Sequence, residues 1–175
     1  MNELQPIIFF IPLIVLIIVC TLYFIFLKKA ANKKTFKKFI LIMIFFAFLL
    51  NLAWELIQIP LYKNSVYDID HIAFCALASL ADVLMVLLLY FGFSVIFKDP
   101  FWMQDLKLKR LLLLVVIGGA GAVLFEMRHL SSGSWGYNDS MPLIPVVNVG
   151  ISPVLQFMIL PLLIFSLSYK RLKKL

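Results

Sequence analysis

Five stretches of about 20 residues, almost free of charge, limit what this chain can fold into more than any other feature. A transmembrane helix needs about 20 consecutive, mostly apolar residues. A soluble domain of 175 residues, 63% of them hydrophobic and 14% charged, could not bury so much apolar surface. The sequence therefore predicts an all-α integral membrane protein, with a single domain that is a bundle of five transmembrane helices.

The apolar runs place the five spans at about residues 7–27, 39–61, 71–97, 111–129 and 151–169. The first run lacks the preceding basic residues of a cleaved signal peptide, so we expect it to be retained as a helix. Residues 130–150 are rich in glycine and proline and predict a structured outer loop that dips back toward the bilayer at 141–149. Phe101 and Trp102 are expected to anchor the loop 98–110 at the membrane interface.

The basic residues are divided unequally between the loops. The linker 28–38 carries six lysines, and the segments 98–110 and 170–174 carry four lysines and arginines each. The remaining loops contain only Lys63 and Arg128. Because cytoplasmic loops of membrane proteins are enriched in these residues, we expect the N-terminus outside and the C-terminus in the cytoplasm. The same clusters account for the net charge of +7, and we expect no nucleic-acid partner.

Polar side chains recur at helical spacing in four of the predicted spans, in the half of each span away from the basic loops. Helical spacing puts such residues on one face, and ionisable groups within a span are costly, so we expect them to line one outward-facing pocket. The expected acids and bases are Glu55, Asp82 and Glu126. The residues expected to contact a ligand are Asn51, Trp54, Gln58, Tyr62, Arg128, His129, Trp135, Tyr137, Asn148 and Gln156.

Each of these residues also has a structural interpretation. Amide side chains bridge helices in lipid. Glu55 would pair with Arg128 or His129, and Arg128 would partly compensate Glu126. Asp82 has no basic neighbour in sequence, so it either carries a proton or pairs across helices. Trp135 and Tyr137 would then belong to an interfacial aromatic belt.

Small residues and metal ligands give two further expectations. The patch Gly118–Gly121 lets another helix approach closely, which predicts a helix-packing surface and a homodimer contact through the same patch. The two histidines, His71 and His129, stand apart in the sequence, and HExxH, CxxC, P-loop and GxGxxG patterns are missing. We therefore expect no metal and no cofactor.

Two motifs resemble those of a family of small bacterial membrane proteins that has no assigned activity. Residues 51–62 are similar to its WExxQxPLY motif, and residues 135–156 are similar to its WxYxxxMPxxPxxxxGxxPxLQ motif. The resemblance implies a multi-pass protein of the bacterial cytoplasmic membrane. This chain has Ala78-Ser79 where the family is expected to carry a His-Cys pair.

A fainter likeness is to membrane-embedded lycopene cyclase and carotenoid hydratase domains. It is carried by Glu126, Gly133, Trp135, Tyr137 and Pro153. The likeness implies acid–base chemistry on an isoprenoid. The cyclases have paired glutamates after the proline, whereas this chain ends the motif on Gln156, and an amide cannot protonate an alkene.

Three functions fit these observations. The first is a cofactor-free enzyme that uses carboxyl groups as acid or base on a membrane lipid or isoprenoid. The second is a non-catalytic lipid-binding or membrane assembly protein, and the third is a small proton-coupled transporter. The transporter would need a polar path through the inner half of the spans, which is almost entirely apolar.

Overall fold

The described part of the chain is built from five long helices. The computed structural model describes residues 10–174, apart from the side chains of Phe10 and Asp105. The helices are α1 (Phe10–Lys29), α2 (Lys33–Gln58), α3 (Ile69–Phe97), α4 (Leu108–Ser131) and α5 (Ile151–Lys173). Each is long and apolar enough to cross a membrane, which confirms the all-helical class and the five membrane-length helices. Residues 7–9 of the first predicted span lie outside the described part.

The helix boundaries extend beyond the apolar runs because polar residues cap and prolong the helices. α2 begins six residues before the predicted start, since the Asn32 side chain accepts a hydrogen bond from the Thr35 backbone N–H at 3.0 Å. The lysines that follow are good helix formers, so the first turns of α2 are lysine-rich. At its other end α2 passes into a 3-10 turn, Ile59–Leu61, where Pro60 supplies no N–H for a further α-helical hydrogen bond.

The order of the helices in space differs from their order in the sequence. α4 packs on α5, α5 on α2, α2 on α3, and α3 on α1. α3 and α4 therefore flank the central α2–α5 pair and make few contacts with each other. The loop between α4 and α5 carries a short antiparallel hairpin of β1 (Leu143–Ile144) and β2 (Val149–Gly150).

A buried aromatic core occupies the end of the bundle that carries the lysine-rich segments. Trp102 lies fully buried in it, on a 3-10 turn between α3 and α4, and stacks on Phe93 with ring centroids 5.0 Å apart. Its indole N–H donates to the Tyr90 carbonyl oxygen at 3.3 Å. The prediction that Trp102 anchors this loop at the membrane interface is wrong, because a backbone acceptor inside the bundle satisfies its polar atom.

The glycine patch on α4 is a packing surface within the chain. A Cβ atom on Gly118 would collide with the carbonyl oxygen of Phe157, and one on Gly119 would lie 3.0 Å from the Met158 side chain, both on α5. Gly121 is exposed and has open space around it. The close helix approach is confirmed as an α4–α5 contact, whereas a homodimer through this patch stays a prediction.

Candidate functional site

A cluster of polar side chains lies toward the end of the bundle at which α2 and α4 finish and α3 and α5 start. This polar cluster consists of Asn51, Glu55, Gln58, Asp82, Glu126 and Gln156. Asn51, Gln58 and Gln156 are almost fully buried there, and Glu126 is 5% exposed. Asn51, Glu55 and Gln58 lie on one side of α2, because residues spaced four and seven apart share one helix side. This side faces α5, where all three contact Gln156. The structure thus brings together polar side chains from four helices, as the sequence spacing predicts.

A directed chain of hydrogen bonds runs through the amide side chains. The Ala47 carbonyl can only accept, so Asn51 turns its Nδ2 toward it at 2.8 Å and presents Oδ1 to Gln156. The Gln156 Nε2 donates to that oxygen at 3.0 Å, and its Oε1 accepts from the Gln58 Nε2 at 3.4 Å. The Ser152 hydroxyl completes the chain by donating to Gln58 Oε1 at 3.0 Å. One backbone carbonyl therefore fixes the orientation of three amides.

The Gln156 amide faces more acceptors than it can satisfy. Besides Asn51, its Nε2 lies 3.2 Å from Glu55 Oε1 and 3.1 Å from Asp82 Oδ2. An amide nitrogen carries two hydrogens, and three oxygens surround this one. Two carboxyl groups from different helices therefore compete for the one N–H that Asn51 leaves free. A proton bound to either carboxyl group would supply the missing hydrogen-bond donor.

Glu126 forms a second group with the loop that follows α4. Its Oε2 accepts a hydrogen bond from the Trp135 indole N–H at 3.1 Å and another from the Tyr137 hydroxyl. No described residue donates to its Oε1. Both donors come from the Trp-x-Tyr segment of the predicted structured loop, so this loop completes the environment of the carboxyl group.

Main-chain pairing holds the loop against the end of α2. The Lys63 N–H donates to the Gly136 carbonyl at 2.9 Å, and the Asn138 N–H donates to the Leu61 carbonyl at 2.8 Å. A Cβ atom on Gly150 would lie 3.0 Å from the Tyr137 ring, so glycine is needed there for the ring to pack on the backbone. Sequence reasoning did not identify this role of Gly150, although the motif of the loop contains it.

Tyr62 lies near both groups of carboxyl side chains. Its ring centroid is 5.6 Å from that of Tyr137 and 6.5 Å from that of Trp135. Burial raises the pKa of the Tyr62 phenol well above its usual value, and the nearby carboxyl groups of Glu126 and Glu55 raise it further. Burial also raises the pKa of the Tyr137 phenol, followed by its hydrogen bond to Glu126. Both phenols therefore hold their protons more strongly than a free phenol, which is itself protonated at neutral pH.

Aromatic rings cover Glu126 on the side of the loop. The His129 ring stacks on Trp135 with centroids 4.2 Å apart and an interplanar angle of 9°. The His129 Nδ1 and the Trp54 Nε1 are buried and have no hydrogen-bond partner among the described residues. Each is a polar atom to which a bound molecule could supply the missing partner.

No described lysine, arginine or histidine forms an ion pair with Glu55, Asp82 or Glu126. Arg128 is exposed, and no hydrogen bond or ion pair joins it to Glu55 or Glu126 in the part of the chain that the structure describes. The pairing with Arg128 considered above is therefore not what the structure shows. Within residues 10–174, no three histidine, cysteine or acidic side chains are grouped to hold a metal ion.

Asn148 is not brought to the cluster. It lies before α5, in the turn of the hairpin, with an exposed side chain and a φ of 52°. The predicted face that it shares with Gln156 does not form, because α5 begins only at Ile151. Ser152, which the sequence predicts on the same face as Asn148 and Gln156, does lie on α5 and donates to Gln58.

Comparison with known proteins identifies no relative of this chain: no family model, curated protein or solved structure matches it. The likeness to the WExxQxPLY family and to the lycopene cyclase domains therefore stays a prediction.

Proposed function

We propose that this chain is a multi-pass protein of the bacterial cytoplasmic membrane that uses carboxyl groups, without a cofactor, as acid or base on a membrane lipid or isoprenoid. One observation carries the proposal. Three carboxyl groups, Glu55, Asp82 and Glu126, converge within the bundle without an ion-pair partner among the described residues. Such uncompensated acidic groups are costly within a membrane and are typical of functional sites.

In this proposal Glu126 is the group that exchanges a proton with the substrate. Two donors on Oε2 orient the carboxyl group and leave Oε1 available. A carboxyl group fixed in this way can transfer a proton through its second oxygen. The rings of Trp135, Tyr137 and Tyr62 surround it and are suited to stabilise a developing cation on an isoprenoid.

Glu55 and Asp82 act in the proposal as the store that resupplies the proton. Both lie against one nitrogen of Gln156, so the removal or addition of a proton there changes the number of competing acceptors. The charge distribution supports the orientation with this cluster on the outer side.

The experiment is mass spectrometry of the organic extract from purified wild-type protein and from Glu126→Gln. The enzyme proposal expects one lipid or isoprenoid to be enriched in both samples and chemically altered only in the wild type. Asp139→Asn, which neutralises an exposed carboxyl group of the same loop, is the matched control and should behave as wild type. Bulk phospholipid alone in every sample would contradict the proposal.

A non-catalytic lipid-binding or assembly protein is the second candidate. The buried Trp54 N–H, which has no hydrogen-bond partner among residues 10–174, favours it. A bound headgroup oxygen would satisfy that donor without any reaction. In the same extracts, this function predicts one unmodified molecule, held by wild type and lost from Trp54→Phe. The variant keeps a six-membered aromatic ring and removes the five-membered ring that carries the N–H donor.

A small proton-coupled transporter is the third candidate, favoured by the two carboxyl groups at Gln156. It predicts flux in proteoliposomes under a proton gradient, lost in Asp82→Asn. Asp139→Asn again serves as control. Equal flux in the wild type with and without the gradient would count against this function.

A further inference from the structure

A groove lies at the opposite end of the bundle from the polar cluster, between α2 and the last turn of α5. It has a volume of about 260 Å³ and is lined by Leu41, Ile42, Phe45, Phe46 and Arg171. The four α2 side chains are apolar, and Arg171 provides the one charge. The groove is thus an apolar surface bordered by one cation.

Two lysines extend the positive charge at the head of this groove. Lys34, Lys38, Leu41 and Phe45 are spaced four, three and four residues apart, so they form one stripe along α2. Both lysines are exposed. The stripe is basic over its first turn and apolar afterwards. This pattern matches a phospholipid whose headgroup lies at the N-terminal end of α2 and whose acyl chain lies along the apolar part.

The dimensions of the stripe fit one leaflet. Lys34 and Phe45 are eleven residues apart, which is about 16 Å along a helix that rises 1.5 Å per residue. Half of a hydrocarbon core of about 30 Å is of similar length. An acyl chain that lies along residues 41–46 would therefore place its phosphate at the level of the basic side chains.

The Arg171 guanidinium is available for such a phosphate. It is exposed, and no described residue lies within hydrogen-bond or ion-pair distance of it. A guanidinium forms paired hydrogen bonds to phosphate oxygens, and a lysine provides a point charge beside it. A phospholipid with net negative charge satisfies all three cations, whereas a zwitterionic one brings its own cation to the same place.

We propose that this groove, formed by residues 41–46 and Arg171 with Lys34 and Lys38 at its head, is a binding site for an anionic phospholipid. The acyl chain lies against the apolar face of α2, and the headgroup phosphate lies between the three basic side chains. The site is distinct from the polar cluster and does not depend on the function proposed for that cluster.

The test is native mass spectrometry of the delipidated protein in detergent, titrated with phosphatidylglycerol and with phosphatidylcholine of the same acyl chains. The wild type should retain phosphatidylglycerol preferentially. Arg171→Gln should weaken this retention about fivefold, the effect expected for one basic residue near an anionic lipid. Arg171→Lys should fall between them, because it keeps the charge and loses the paired hydrogen bonds.

Lys63→Gln is the matched control, since it removes one positive charge from an exposed side chain at the other end of the bundle. It should retain phosphatidylglycerol as the wild type does. Inorganic phosphate in millimolar excess should not displace the lipid, because the acyl chain contributes to binding. Equal retention of the two lipids by wild type, equal loss in Lys63→Gln and Arg171→Gln, or displacement by phosphate would each overturn the proposal.

Discussion

Tyr137 and Tyr62 are neighbouring phenols with different hydrogen bonding. The Tyr137 hydroxyl donates to Glu126, whereas no described hydrogen bond involves the Tyr62 hydroxyl. Tyr137→Phe should lower the free energy of unfolding by about 1 kcal/mol, the typical net value of one intramolecular hydrogen bond. Tyr62→Phe is the matched control and should lower the free energy of unfolding by less. Thermal unfolding in detergent measures both, and an equal loss of stability would contradict the assigned role of the Tyr137 hydroxyl.

Asp68 gives a pH dependence at the start of α3. Its side chain accepts from the His71 backbone N–H at 2.8 Å, and this hydrogen bond, followed by the one to the His71 ring, lowers the pKa of the carboxyl group. A lowered folded-state pKa means that the cap stabilises the helix above the pKa of the unfolded chain and is lost as the pH falls through the folded value. Hydrogen exchange at residues 71–74, corrected for intrinsic rates, should therefore accelerate below about pH 4.

Asp68→Asn separates this effect from ordinary fraying. The asparagine keeps a capping oxygen but does not titrate over this range, so the acid-induced acceleration should disappear. Asp70→Asn, an exposed neighbour in the first turn, should retain it. Acceleration of equal size in both variants would show that another group controls the opening of the helix.

At individual positions, helical spacing predicts shared faces but not the partners across helices. The spacing of Asn51 and Gln58 is enough to place them on one side of α2. The failure of Arg128 to pair with Glu126 has the same origin, because two residues along a helix correspond to about 200° of rotation. The donors to Glu126 could not be paired with it from spacing, since their position depends on the fold of a loop that is anchored to α2 through main-chain hydrogen bonds.

The contact between α4 and α5 provides a test at the scale of elements. Gly118→Ala would force a methyl group into the backbone of α5 at Phe157 and should destabilise the protein by about 1–3 kcal/mol, as overpacking does. Gly121→Ala, three residues along the same helix, meets open space and should be neutral or slightly stabilising. Thermal unfolding of the two variants in detergent measures both changes in stability. Similar effects of the two substitutions would mean that α4 and α5 do not approach as closely as described.

The apolar runs are enough to predict that the five helices exist. They do not predict where the helices end or how the connecting segments fold. α2 starts within a lysine-rich segment that hydropathy assigns to a linker, because a cap and local helix propensity determine its start. Trp102 lies in a loop by hydropathy and in the core by structure, since a distant carbonyl on α3 accepts its N–H. Tertiary acceptors of this kind leave no periodic signal in the sequence.

The two ends of the whole bundle have opposite chemistry. Buried aromatic rings and clustered lysines characterise one end, and carboxyl, amide and phenol groups characterise the other. α3 and α4 flank the polar cluster and make few contacts with each other. The proposed lipid chemistry and the proposed phospholipid site therefore use opposite halves of one molecule.

The orientation in the membrane is the prediction on which access to the polar cluster depends. In a background of Cys20→Ser and Cys75→Ser, a single cysteine can be placed by Asp139→Cys in the polar end or by Lys98→Cys in the basic end, both at exposed positions. A membrane-impermeant maleimide applied to intact cells should label position 139 and not position 98, because the basic segments are expected in the cytoplasm. Permeabilised cells, in which both positions should react, control for the reactivity of each cysteine. Labelling of position 98 alone in intact cells would place the carboxyl groups in the cytoplasmic half of the membrane, and a substrate would then have to enter from the inner leaflet.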